Sequence, residues 1–264
     1  MTSAFRDNLL AGKTAFVAGG TSGINLGIAK RFAELGAKVA VAGRDPDKAQ
    51  RAAVDIGHDA IGLSGDVRDY AAIRGVMETV VDTFGPMDIV ISGAAGNFLA
   101  PVLGMSANAF RTVVDIDLNG TFNVFRGCHD LLNRPGASLI AITAGQAINA
   151  SALQAHACAA KAGINQLIRV LALEWGPDVR VNGISPGPIA GTEGMARLAP
   201  DAATRQSHFD RIAMKRWGEV EEVAESAVFL CSPAAGYITG TILDCDGGSQ
   251  IGDASRGDLS KGMA

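Results

Sequence analysis

No stretch of the chain reaches the roughly 18–20 uninterrupted apolar residues of a membrane-spanning helix, and the start, M-T-S-A-F-R-D-N-L-L-A-G-K, lacks the apolar centre of a secretory leader. A cytoplasmic protein without a membrane partner is therefore expected. A basic surplus is missing too. Lys and Arg number 23 against 27 Asp and Glu, the net charge is −4, and the cations are scattered, so nucleic acid is excluded as the partner. Cysteine is scarce: Cys128, Cys158, Cys231 and Cys245 lie far apart, with no C-x-x-C pair and no histidine-rich spacing. Reduced core thiols are expected, with neither disulfide nor metal site. The end, S-K-G-M-A, is not a peroxisomal S-K-L signal, and the tail from about 250 to 264 is polar.

What is present is a βα rhythm. With 264 residues, 48% hydrophobic and 19% charged, the chain fits one large α/β domain spanning 1–264. Short apolar β-rich runs at 14–18, 38–42, 60–63, 88–91, 138–142, 179–184 and 241–244 alternate with helical patterns, among them 24–35, 46–56, 69–84, a long 106–132, 155–175 and 219–231. Seven strand candidates separated by helices predict a doubly wound, Rossmann-type parallel sheet covered on both faces. Ligands of such sheets bind beyond the carboxyl ends of the strands. Between 186 and 217 the rhythm breaks on Gly187, Pro188, Gly191, Gly194 and Pro200, and a loop-rich insertion that acts as a lid is expected there.

The first strand runs into G19-G20-T21-S22-G23-I24-N25-L26-G27 and then a helix, the context in which a glycine string cradles a pyrophosphate. Gly19, Thr21, Ser22, Gly23 and Ile24 are the candidate contacts. Asn25 stands where a third glycine is usual, which predicts looser or shifted packing of helix on strand. The second strand ends A42-G43-R44 without a carboxylate for a ribose 2′-hydroxyl, whereas Arg44 is placed to meet a 2′-phosphate, so NADPH is favoured. Asp45 follows and would blunt that preference, and a solvated arginine is the plainer alternative. Asp66, next to Val67 after the third strand, is a candidate acceptor for an adenine amino group, and Ala94, Ala95 and Gly96 after the fourth bring flexible backbone to the cofactor.

Lys161 sits in A159-A160-K161-A162-G163, where a reductase keeps its catalytic lysine, yet four residues earlier, where a proton-donating tyrosine belongs, there is Ala157. A phenol held near an ammonium can pass a proton to a carbonyl oxygen; alanine cannot. Simple ketone reduction is disfavoured. Asp117 lies in the apolar stretch V113-V114-D115-I116-D117-L118, where burial disfavours its charge and a nearby lysine would favour it.

With the glycine string, D66-V67, G93-A94-A95-G96, the Lys161 helix and P186-G187-P188-I189, the chain resembles the short-chain dehydrogenase/reductase superfamily from about residue 10 to 250. Within it the chain looks most like the 2,4-dienoyl-CoA reductases, particularly the peroxisomal type, on A94-A95-G96-N97-F98, D115 to V124, Q154-A155-H156-A157-C158-A159-A160-K161 and P186 to G194. Ordinary members carry an Asn-Ser-Tyr-Lys tetrad; Asp117, Ala144, Ala157 and Lys161 stand at those places, and Gln154 occupies the position seven before the lysine where enoyl-thioester reductases keep a tyrosine.

The resemblance implies NADPH-dependent reduction of a 2,4-dienoyl-CoA to a 3-enoyl-CoA in unsaturated fatty acid oxidation, with Asp117 and Lys161 replacing the usual pair. It further implies that Lys161, Pro186, Gly187, Ile189 and Thr192 contact the cofactor. Arg44, Arg68 and Arg197 would meet the CoA phosphates, Phe98 and Ser106 would line the acyl entrance, and 106–132 and 155–175 would build a homotetramer. His156 is either structural or a donor to the thioester oxygen, and Thr143, Asn119 and Gln146 are further possible donors. Two other readings stay open: an oxidoreductase on another conjugated or CoA-linked substrate, and a catalytically silent nucleotide-binding scaffold.

Overall fold

A computed structural model describes residues 5–199 and 201–255. Its centre is β1 (Thr14–Ala18), five residues buried without exception. Flanked on both sides and covered on both faces, such a strand reads as a continuous apolar run rather than an alternating one. Side chains still alternate in direction. Ala15 and Val17 join Ile28, Phe32, Val223 and Val228 in the core on one face, while Phe16 and Ala18 join Met77, Phe125, Ile164 and Ile168 on the other.

The remaining strands are β2 (Lys38–Gly43), β3 (Ile61–Ser64), β4 (Ile89–Ser92), β5 (Ala137–Ile142), β6 (Val179–Pro186) and β7 (Ile242–Cys245). They form one seven-stranded parallel sheet in the order β3-β2-β1-β4-β5-β6-β7, as the sequence predicts. Ala15 pairs with Val39 on one side and Ile89 on the other, so chain progress reverses between β1 and β4 and opens a crevice beyond their carboxyl ends. The crossovers are α1 (Gly23–Glu34), α2 (Pro46–Ile56), α3 (Tyr70–Phe84), α4 (Ala107–Val114), α5 (Gly120–Cys128), α6 (Ala155–Trp175) and, after the insertion, a helix Val220–Cys231 that packs on α1.

Two expectations change. The stretch read as one helix from 106 to 132 is α4 and α5 joined by a π-helical turn, Asp115–Asn119. The widened turn carries Asp117 inward, and such bulges gather at functional sites. The insertion read as loop-rich is half helical. It holds α7 (Glu193–Leu198) and α8 (Ala202–Arg211), and the helix Val220–Cys231 is thus α9. The side chains of Thr192 and Asp201 accept from Met195 N at 3.4 Å and Thr204 N at 2.8 Å, capping two helices that glycine and proline content alone does not announce.

At the opposite edge of the sheet, buried Asp88 gathers Lys13 Nζ at 2.8 Å, the Thr14 amide at 2.9 Å and Asn133 Nδ2 at 2.8 Å. Replacing Asp88 with alanine strands these donors and should lower the unfolding free energy by about 2–4 kcal/mol in denaturant titration. Dinucleotide binding at the far edge should stay unchanged.

Candidate active site

A cleft of about 400 Å³ opens at the carboxyl ends of β1, β2 and β4. Gly19, Thr21, Ser22, Arg44, Asp66, Val67, Ala94 and Ala95, all expected in a cofactor site, line it. Gly19 turns at φ +77°, and a Cβ there would lie 2.6 Å from the Ala94 nitrogen, so only glycine lets the β1 and β4 turns meet. Gly23 and Ile24 open α1. Ser22, the N-cap of α1, makes no side-chain capping bond and no acidic residue stands in the first turn, so the amide groups and positive end of the dipole remain available to an anion. These features fit a dinucleotide pyrophosphate.

Around Arg44 the electrostatics are clearer than the sequence suggests. Asp45 caps α2, accepting from the Lys48 amide at 3.0 Å, and that bond holds it below the usual carboxylate range, so its negative charge stays in the cleft lining beside Arg44. Lys48, which the sequence reading passed over, also lines the cleft and donates from Nζ to Ser22 Oγ at 3.1 Å. Its signal was available, since D45-P46-D47-K48 spells an N-cap with a cation at the third helical position. Arg68 grips Asp66 with Nη2 to Oδ2 at 2.6 Å and Nε to Oδ1 at 3.0 Å. This pairing depresses the Asp66 acid and raises the guanidinium. Arg68 is thus tied to Asp66 rather than standing free.

Next to the cleft Asp117 and Lys161 form a buried pair. Asp117, 1% exposed, takes the Gly96 amide on Oδ1 at 2.7 Å, and its Oδ2 lies 3.4 Å from Lys161 Nζ. Thr121 Oγ1 donates to the Asp117 carbonyl at 2.7 Å and accepts from Ser92 Oγ at 3.1 Å, holding the π-helical turn against β4. Lys161 Nζ also donates to the Ile142 carbonyl at 3.0 Å. An ammonium has three donors, so one N–H is left over for a ligand. Ala157, one turn before on α6, is buried and offers nothing.

The other candidate donors separate. Thr143 Oγ1 is spent on Asn165 Oδ1 at 2.7 Å, and Asn119 on Asp115 at 2.7 Å. Gln146 joins an amide cluster instead: its Nε2 donates to Gln154 Oε1 at 3.3 Å, which also accepts from Asn97 Nδ2 at 2.7 Å. Neither Asn97 nor Gln154 stood out as a donor in the sequence. His156 is wholly buried, neither ring nitrogen has a partner, and its ring packs edge-on against Phe98 with centroids 4.2 Å apart. Phe98 itself is partly exposed beside it.

The remaining expected contacts have other tasks as well. Pro186 ends β6 and Gly187 bonds to the Cys245 carbonyl at 3.0 Å, the Ile189 side chain is buried in the core, and Thr192 caps α7. Ser106 caps α4, accepting from the Ala109 amide at 3.1 Å. Arg197 falls within α7, but its side chain lies outside the described residues. The four cysteines are free thiols; burial pushes Cys231 up to about 12 and Cys128 higher still. Among the described residues no helix is long and apolar enough to cross a membrane.

Residues 18–250 match the family model described as enoyl-(acyl carrier protein) reductase. A peroxisomal 2,4-dienoyl-CoA reductase, (3E)-enoyl-CoA-producing, of Pongo abelii is 41% identical over 253 residues, 94% of this chain and 87% of that one. Its Danio rerio counterpart is 39% identical over 260 residues, 96% and 87%. The crystal structure of a short chain dehydrogenase from Bacillus anthracis superposes with a TM-score of 0.80 at 34% identity, covering 90% of this chain and 96% of that one. The chain belongs to the short-chain dehydrogenase/reductase superfamily. It is an oxidoreductase of that superfamily, with the nicotinamide cofactor the superfamily entails, and it is similar to the 2,4-dienoyl-CoA reductases over most of its length.

The two cations beside Ser22 give a test. Replacing Arg44 or Lys48 with alanine should weaken binding of a 2′-phosphorylated dinucleotide roughly tenfold each and leave the unphosphorylated one nearly unchanged, by fluorescence titration. Equal loss of both would remove the two side chains from 2′-phosphate recognition.

Proposed function

We propose that the protein reduces 2,4-dienoyl-CoA thioesters to 3-enoyl-CoA with NADPH. The observation that carries this reading is the buried Asp117 and Lys161 pair, Oδ2 to Nζ 3.4 Å, in a site whose hydroxyl positions are alanine. Losing tyrosine and serine removes a general acid or base worth roughly 10²–10⁴-fold to an alcohol or ketone. A conjugated thioester escapes that loss. The bound cofactor supplies a hydride to the far carbon of the diene. The displaced electron pair then moves along the conjugated chain to the thioester oxygen, and a proton must arrive at the carbon next to the thioester.

Asp117 orders or supplies that proton at Oδ2, because Oδ1 is already held by the Gly96 amide. Lys161, braced by the Ile142 carbonyl, keeps positive charge at this spot and has an N–H to spare for the cofactor ribose or the developing anion. The amide cluster of Asn97, Gln146 and Gln154 stands ready to orient the thioester, and Phe98 over His156 is proposed as the apolar wall of the acyl entrance. Arg68 and Arg197 are proposed on the CoA side, Ser106 with Phe98 at the acyl entrance, and Pro186, Gly187, Ile189 and Thr192 on the cofactor side through their backbone. Cytoplasmic location and a homotetramer belong to the same reading.

A stopped-flow comparison of dienoyl, enoyl and oxoacyl thioesters with NADPH tests the assignment. Brisk turnover is expected of the dienoyl substrates alone, and Asp117→Ala should slow single-turnover NADPH oxidation roughly 10²–10⁴-fold. An unchanged rate would remove Asp117 from the mechanism. Fast oxoacyl reduction, or tight NADPH binding without turnover of any thioester, would overturn the assignment.

A further inference from the structure

Asn25 is the third residue of α1, at the place in the glycine string where a third glycine is usual, and it is 8% exposed. The expectation of loosened packing there is not what the side chain does. Its Nδ2 donates to the Gly93 carbonyl at 2.8 Å and the Gly19 carbonyl at 3.3 Å. Those carbonyls belong to the turns after β4 and β1, the two rims of the crevice. Gly19 N in turn bonds Ala42 O in β2 at 2.9 Å and Gly93 N bonds Ala18 O at 3.0 Å, so the carboxamide ties together two turns that the backbone anchors to β2 and β1.

The tie depends on a second residue. A Cβ on Gly93 would lie 2.3 Å from both Nδ2 and Oδ1 of Asn25, far inside any permitted contact. The room that asparagine takes at 25 is the room glycine leaves at 93. Holding the Gly93 carbonyl also fixes the plane of the 93–94 peptide, and hence the direction of the Ala94 N–H in a residue that lines the cleft. Finally, Asn25 Oδ1 is buried with no partner, although Asn25 itself lines the cofactor cleft. An orphaned acceptor of this kind is costly unless a donor reaches it.

We infer that Asn25 is a cofactor-positioning residue. With Gly93 it forms a clamp that sets the crevice between the β1 and β4 turns for a nicotinamide dinucleotide. The inference rests on the cofactor that the superfamily entails and not on the dienoyl-CoA reading. It can therefore be tested by dinucleotide titration in the absence of any acyl substrate, so either can fail without the other.

The test measures NADPH Kd by fluorescence and apo thermal stability for the full-length wild type, Asn25→Gly, Asn25→Asp, Gly93→Ala and the double variant Asn25→Gly/Gly93→Ala. Asn25→Gly restores the commoner residue and should still raise Kd about tenfold, the loss expected for two neutral hydrogen bonds. Asn25→Asp has the same size but no N–H, and should be at least as weak. Gly93→Ala should damage binding or folding in the wild-type background but add less than about twofold once Asn25 is glycine, with folding restored. A merely structural side chain would move thermal stability and leave Kd alone, so wild-type Kd in Asn25→Gly or in Asn25→Asp overturns the proposal. Equal damage by Gly93→Ala in both backgrounds also overturns it.

Discussion

The active site depends on one buried carboxylate held from two directions. Taking Asp117 and Lys161 out of water costs several kcal/mol per charge, and their mutual attraction offsets this only when further hydrogen bonds satisfy both. Here those bonds come from the backbone: the Gly96 amide for the acid and the Ile142 carbonyl for the ammonium. Because Gly96 follows β4 and Ile142 ends β5, the pair is positioned by the same sheet edge that shapes the cofactor cleft. The π-helical turn supplies the remaining condition, carrying Asp117 inward between α4 and α5.

On the proposed reading, that arrangement lets this chain work without a phenol. Lys161 is present with the Ile142 carbonyl bracing it, and positions 144 and 157 are alanine. What is lost is proton delivery to an oxygen. What remains is a buried acid beside an amine with one spare N–H, proposed for a reaction in which charge spreads over a conjugated thioester and the proton goes to carbon. The cleft beside it gathers both signs of charge, with Arg44 and Lys48 in its lining together with Asp45, which caps α2, and Asp66, which Arg68 holds.

The alternation of apolar runs and amphipathic stretches made the sheet, its strand count and its crevice legible, because parallel strands must be buried on both faces. The placement of the glycine string, Arg44 and Asp66 in one cleft and of Asp117 beside Lys161 was legible for a similar reason: each is a residue type whose chemistry has few other uses in its setting. Less could be read where one side chain serves a long-range partner. Asn25 looked like a defect because Gly93 lies 68 residues away. Lys48 looked like an ordinary helix cation, and Gln154 like a missing tyrosine. The insertion looked loop-rich because caps at Thr192 and Asp201 outweigh the nearby glycines and prolines.

The central claim, that proton delivery from the Asp117 and Lys161 pair goes to carbon next to the thioester, is tested most directly by running the reaction on 2,4-hexadienoyl-CoA in D2O and locating the label by NMR. The account predicts a 3-enoyl product carrying solvent deuterium at C2 and none at C5. Deuterium at C4 in a 2-enoyl product, or a reduced carbonyl in place of a reduced diene, would contradict it.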